Sequence, residues 1–347
     1  MSVAPLLEVD RVTMRFGGLV ANEDVSFAVQ PGQVFAVIGP NGAGKTTMFN
    51  AITGVYQPSS GEVRFQGKVV RKPFAARLLL RVGGTAIAAA ISCMLAVNAV
   101  ALWKAVIVAN YVYGEPFLWG KAMGCIGPAL SQVAALWTWG SAFVGALLGG
   151  GGAFVLWLRT RRTPDVVAAA GIARTFQNIR LFGELSVLEN VLVGMHGRLR
   201  TSYFTNLLRL PAYWREHADS DARAMELLRF VGLDARAHDA ARNLPYGLQR
   251  RLEIARALAS RPRLLLLDEP AAGMNPTETV ALMELIRRIR DTGVTVLLIE
   301  HHMRVVMGVS DRICVLNFGK RIAEGTPEQI RNDPACIEAY LGKEELG

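Results

Sequence analysis

GPNGAGKTT, Gly39 to Thr47, is the stretch on which the fold turns. It fits the spacing GxxxxGK[ST], in which glycines let backbone N–H groups close around phosphate oxygens at a helix N-terminus. Lys45 is placed to neutralise β- and γ-phosphate charge, and the Thr46 hydroxyl to coordinate Mg²⁺. The apolar run QVFAVIG precedes the loop and the helical pattern KTTMFNAITGV follows it, which is the context such a loop needs. Gly39, Asn41, Gly42, Gly44, Lys45, Thr46 and Thr47 are therefore the expected phosphate cradle, with ATP and Mg²⁺ as the expected ligands.

Downstream, RLLLLDEP reads as a buried strand ending in two acids. Asp268 leaves the strand end where a neighbouring phosphate loop would set a metal, and Glu269 is placed to orient or deprotonate the attacking water. LLEVDRVTMRF, VSFAVQPGQVFAVIG and EVRFQGKVV carry strand patterns, a charge-rich helical region runs from Val187 to Leu258, and TVLLIEHH supplies a further strand after a helix from Thr277 to Arg290. Strands alternating with helices predict an α/β parallel sheet, here a P-loop NTPase core with a helical subdomain at about 181–258.

Composition adds a second theme. Of 347 residues 51% are hydrophobic, mean hydropathy is +0.27, and the excess lies between Val82 and Leu158. VGGTAIAAAISCMLAVNAVALW, Val82 to Trp103, has no charge, and as a helix it spans ~33 Å against a bilayer core of ~30 Å. Ala122 to Leu158 is also charge-free, and its part from Val133 suffices for a tilted span. Arg71, Lys72, Arg77 and Arg81 precede the block and Arg159, Arg161 and Arg162 follow it, whereas the connection holds Lys104, Glu115 and Lys121. That bias predicts a two-helix transmembrane hairpin with both ends cytoplasmic. The alternative, two helices buried in a soluble fold, would need a large apolar cavity around them. Gly145 and Gly149 form one GxxxG, a hint of close helix packing. The expected division is 1–72 and 164–347 for the ATPase, with 73–163 inserted.

A net charge of +9 commonly marks nucleic-acid binding, but the basic flanks of the apolar block point to anionic lipid instead, and no nucleic acid is expected. The four cysteines form no CxxC pair and read as reduced structural thiols. The N-terminus lacks an apolar signal core, so no cleaved signal is expected.

TFQNIRLF (Thr175–Phe182), LPYGLQRRLEIARAL (Leu244–Leu258), AAGMNP (Ala271–Pro276) and LLIEHHM (Leu297–Met303) surround these motifs. Together they resemble the nucleotide-binding subunit of ABC transporters. MRFGG and the tail GTPEQIRNDPACIEAYLG make the chain similar to the branched-chain amino-acid importer group (LivG-like). The resemblance covers roughly residues 6–72 and 164–342. It implies that Phe16 stacks on adenine and that Gln177 touches Mg²⁺ or the attacking water while relaying contact with a transmembrane subunit. It implies that His301 contacts the γ-phosphate and that Gly247 binds the γ-phosphate held by an opposite subunit. The metal set it implies is Thr46, Gln177 and Asp268, and the catalytic set Glu269, His301 and Gln177. Where the wider family carries LSGGQ, this chain has Pro245 at the serine, Tyr246 at the first glycine, which fits the branched-chain group, and Leu248 at the glutamine; Asn275 stands at a usual aspartate, a departure that group tolerates.

One phosphate loop and one signature cannot build a two-subunit ATP sandwich alone, so a second ATPase subunit, a copy or a related chain, is implied. Separate permease subunits, a periplasmic binding protein acting indirectly, and a place on the cytoplasmic side of the inner membrane are implied with it. The expected function is ATP hydrolysis driving import of branched-chain or other hydrophobic amino acids. The alternatives are a membrane-anchored regulatory module with little turnover, motivated by Pro245 and Leu248, and a non-transport ABC ATPase.

Overall fold

The computed structural model of the chain describes residues 4–70, 76–132, 135–159, 163–198, 208–209 and 211–341. Arg71, Lys72, Val133, Arg161 and Arg162, and with them the junction expected at 72/73, lie outside the described residues. The chain divides into two units, one made of Met1–Arg71 and Arg162–Gly347, the other of Lys72–Arg161.

In the first unit, β3 (Val34–Ile38), β7 (Leu264–Asp268) and β8 (Thr295–Ile299) are apolar throughout or nearly so and buried at every residue. Such runs suit a parallel sheet covered on both faces. With β6 (Ile172–Arg174), β9 (Arg312–Asn317) and β10 (Lys320–Gly325) they form a six-stranded sheet in the order β10-β9-β3-β8-β7-β6. All neighbours pair in parallel except β10 with β9. The alternating N-terminal strands do not join it. β1 (Leu7–Phe16), β2 (Leu19–Val29), β4 (Ser60–Phe65) and β5 (Lys68–Val69) make a separate antiparallel sheet in the order β2-β1-β4-β5. A tight turn at Gly17, whose φ of 59° favours glycine, folds β1 back on β2.

Helix α1 (Lys45–Ile52) joins one apolar cluster with both sheets, including Met48, Phe49, Phe27 and Phe35, the last two stacked 5.4 Å apart. On the opposite face of the large sheet the helices after it build a second cluster. Cys314 and Cys336 are buried; desolvation pushes their thiols up to about 12 and about 11, so both stay protonated at neutral pH.

The second unit opens with α2 (Ala76–Val97) and closes with α6 (Ala135–Arg159). Between them lie three short helices, α3 (Ala99–Val106), α4 (Trp119–Gly124) and α5 (Ile126–Gln132), of which α3 takes up the last residues of the expected first span and α5 an early part of the second charge-free run. The bilayer-length segments are Leu78–Val97 and Trp137–Trp157, so the first lies several residues earlier than the charge-free run suggests. Asn98 sets that limit: it stands between α2 and α3, and its Nδ2 donates to Met94 O at 2.8 Å. Neither helix is a soluble core helix within its unit: Ile87 is 63% exposed and Leu147 58% exposed.

Where α2 and α6 meet, small residues let their backbones touch. A Cβ on Gly149 would lie 2.5 Å from Thr85 O, and one on Gly145 would overlap Ala89 O. The GxxxG spacing is thus a seam between these two helices. A Gly149→Leu replacement forces them apart and destabilises the hairpin by about 1–3 kcal/mol in a detergent-denaturation assay; an unchanged denaturation curve would mean the seam is not packed.

Candidate nucleotide site

The phosphate loop connects β3 to α1, and its shape comes from three left-handed glycines: Gly39 (φ 154°), Gly42 (φ 81°) and Gly44 (φ 90°). Two of them also face crowded ground. A Cβ on Gly39 would overlap Leu316 O, and one on Gly44 would sit 2.5 Å from Ala21 O and overlap Asn22 Nδ2. Asn22 braces the loop, donating to Gly44 O at 3.3 Å. Lys45 is buried, and its ammonium donates to Gly39 O (2.7 Å) and Pro40 O (2.9 Å), bent back over the loop. Thr46 is exposed and Thr47 half-buried on the first turn of α1; Asn41 and Gly42 are exposed on the loop itself.

The acids end β7. Asp268 is buried, and its Oδ2 accepts from Arg174 Nη2 at 2.7 Å. Arg174, the last residue of β6, also donates to Asn50 Oδ1 at 2.7 Å and to Thr53 Oγ1 at 3.3 Å near the end of α1. Glu269 follows in a left-handed conformation (φ 45°), an uncommon state for a non-glycine that concentrates at functional sites. Its amide is held by Ile299 O at 2.9 Å. Gln177 Nε2 donates to Glu269 Oε2 at 3.0 Å, and His301 Nδ1 lies 3.8 Å from the same oxygen. The structure thus brings together Glu269, Gln177 and His301, residues from three separate stretches. Behind them Glu300 is fully buried; it accepts from Ala271 N at 2.8 Å, His301 N at 3.0 Å and His302 N at 3.1 Å, which fixes the backbone that carries His301.

Phe16, at the end of β1, is 41% exposed and meets Tyr56 edge-to-face at 5.1 Å. The pair forms a partly open aromatic surface, and Tyr56 was absent from the sequence reading. The signature segment opens the helix Tyr246–Ala259, with Pro245 as its N-cap. No side chain caps that end; Pro245 O accepts from Leu248 N and Gln249 N, both at 3.0 Å. Because an N-cap's own N–H is outside the helical ladder, proline there removes a hydroxyl but no helical hydrogen bond. Gly247 faces Glu278, whose Oε1 would be 2.5 Å from a Cβ at that position. Asn275 caps the helix Pro276–Asp291 through a reciprocal pair with Glu278.

Sequence reasoning missed Arg174, Tyr56, Glu300, and the buried ion pair of Arg250 and Glu253 (2.8 Å) on the helix Tyr246–Ala259. No spacing rule signals which way Arg174 turns; Tyr56 had only its place just beyond α1 as a signal.

A phosphate loop, a strand-end acid pair, a glutamine and a histidine arranged on this sheet define a P-loop ATPase of the ATP-binding cassette class. The ABC transporter family profile matches residues 22–88 and 160–272, leaving 89–159 between its two parts, and the branched-chain amino acid ATP-binding cassette transporter profile matches 320–345. The chain is 37% identical over 340 residues to the high-affinity branched-chain amino acid transport ATP-binding protein BraF of Pseudomonas aeruginosa, covering 98% of each. It is equally 37% identical, with the same coverage, to LivG of Escherichia coli strain K12. A solved ATP-binding cassette of an ABC transporter in its ADP conformation shares the fold, with a TM-score of 0.64, 24% identity, and coverage of 98% of this chain and 100% of that one. The chain belongs to the ABC transporter ATP-binding family, and it is an ATPase subunit of that family.

Proposed function

We propose that the chain hydrolyses ATP to drive an importer of branched-chain or other hydrophobic amino acids, whose cargo crosses through separate permease subunits. The observation that carries this reading is the convergence of Gln177 and His301 on Glu269 beside an intact phosphate loop. The likeness along the whole chain to transport proteins named for branched-chain amino acids supports the cargo class.

Within the site, Gly39, Asn41, Gly42, Gly44, Lys45, Thr46 and Thr47 surround the phosphates, and Phe16 stacks on adenine. Glu269 takes the proton of the attacking water; Gln177 orients that water; His301 donates to the γ-phosphate. Thr46, Asp268 and Gln177 offer oxygen donors, the chemistry Mg²⁺ prefers, and the ion when bound neutralises phosphate charge. Gly247 reaches the γ-phosphate held by a second ATPase subunit, identical or related.

A cleft of about 340 Å³ lined by Arg174, Phe182, Val193, Gly194, Glu253 and Arg256 among others suits a permease contact. Residues 73–163 form the inserted hairpin, which crosses the inner membrane and leaves both ATPase segments, 1–72 and 164–347, on the cytoplasmic side. Its lipid-length helices and exposed apolar faces support this. The decisive experiment reconstitutes the chain with its second ATPase subunit, its permeases and a periplasmic binding protein in vesicles. Leucine, isoleucine or valine on the outside is expected to raise ATP hydrolysis and accumulate inside. ATP hydrolysis indifferent to every hydrophobic amino acid would contradict the cargo assignment.

A further inference from the structure

Arg250 and Glu253 lie on the helix that begins at the signature segment, and both are buried, at 0% and 1% exposure. Arg250 Nη1 donates to Glu253 Oε2 at 2.8 Å and to Phe176 O at 2.7 Å. Its Nη2 donates to Gln177 O at 2.8 Å and reaches Tyr246 Oη at 3.4 Å. Glu253 Oε1 accepts from Phe176 N at 3.2 Å. One charged pair on one helix therefore holds three backbone polar groups of residues 176 and 177. Gln177 in turn reaches Glu269 through its side chain.

A buried ion pair is a weak source of stability, because apolar residues of similar volume do as well or better. What an apolar pair cannot do is fix a loop backbone. The planar guanidinium fork grips two successive carbonyls in one geometry, which a lysine's single ammonium does not reproduce. Contact thus runs without a break from Tyr246, at the signature, through Arg250 and Glu253 to residues 176–177, and on to Glu269.

We propose that Arg250 and Glu253 are positioning residues: a clamp that sets Gln177 against Glu269 according to where the signature helix sits. Turnover at one subunit's own phosphate loop then depends on the placement of the segment it offers to the partner subunit. The inference rests on the roles given above to Gln177 and Glu269.

The test compares four forms of the complete transporter: wild type, Arg250→Gln/Glu253→Gln, Gln177→Ala, and all three changes combined. Removing both charges together leaves neither buried alone. The double variant is expected to lower kcat for ATP by about tenfold or more, the loss of charge-assisted hydrogen bonds, with KM for ATP nearly unchanged. Gln177→Ala is expected to do the same, and the combined form to be no slower than the slower parent, because both act through one side chain. Multiplied losses in the combined form, or wild-type kcat in the double variant, would overturn the clamp. Wild-type kcat in Gln177→Ala would overturn the role of Gln177 itself, and the clamp with it. Should the double variant not fold, Arg250→Lys keeps the charge while losing the fork. Slowed turnover at an unchanged melting temperature supports the clamp, and wild-type kcat contradicts it.

Discussion

Glu269→Gln is expected to slow ATP hydrolysis by about 10²–10⁴-fold while leaving ATP binding intact, the usual loss when a positioned base is removed. Glutamine has nearly the same shape, so the left-handed backbone at φ 45° and the amide bond to Ile299 O are retained. The carboxylate's capacity to take a proton is lost. Its neighbours stay in place, Gln177 at 3.0 Å and His301 at 3.8 Å, so the site is intact but without its base. The phosphate loop lies on other elements and holds nucleotide as before. Single-turnover hydrolysis with a parallel binding titration separates the two quantities. A loss under tenfold would remove Glu269 from the proton transfer.

The second large effect concerns binding. Gly44→Val is expected to weaken ATP binding by more than about a hundredfold. Its φ of 90° is one that a β-branched residue strongly resists. In addition, any Cβ there must displace Asn22 Nδ2 and the Ala21 carbonyl of β2, so the loop moves away from the strand that braces it. Gly42→Ala is the internal control: φ is 81°, but no neighbouring atom lies within 4 Å of a Cβ there. Against the protein itself only the conformational cost of about 1–2 kcal/mol applies, or roughly five- to thirtyfold. Equilibrium ATP titrations of both variants decide the matter. Equal losses would mean that conformation alone, and not the contact with β2, shapes the loop.

The core could be read because its signals are local. Gly39 to Thr46 are contiguous, and LLLLD and TVLLI declare buried parallel strands by their unbroken apolar runs. The separate antiparallel sheet escaped notice because alternation along LEVDRVTMRF says that one face is buried but not which sheet supplies the partner. Arg174 and Arg250 escaped for a related reason. Each acts on groups 73 to 124 positions away in the chain, and an arginine carries no mark of the acid or carbonyl it will reach. In the hairpin, charge-free length located both helices, but the break at Asn98 depends on one side chain turning back to Met94 O. The pairing of Gly145 and Gly149 with Thr85 and Ala89 required coordinates.

We propose that the hairpin is an addition to an ATPase unit that folds and binds ATP without it, in keeping with the two units into which the chain divides. The most direct test is excision of Ala76–Arg159, joined by a short Gly/Ser linker, followed by sedimentation without detergent and ATP titration. The expected product stays in the supernatant and binds ATP with the affinity of the full chain in detergent. A product that pellets, or one that is soluble but no longer binds ATP, would show that the apolar helices are part of the ATPase fold.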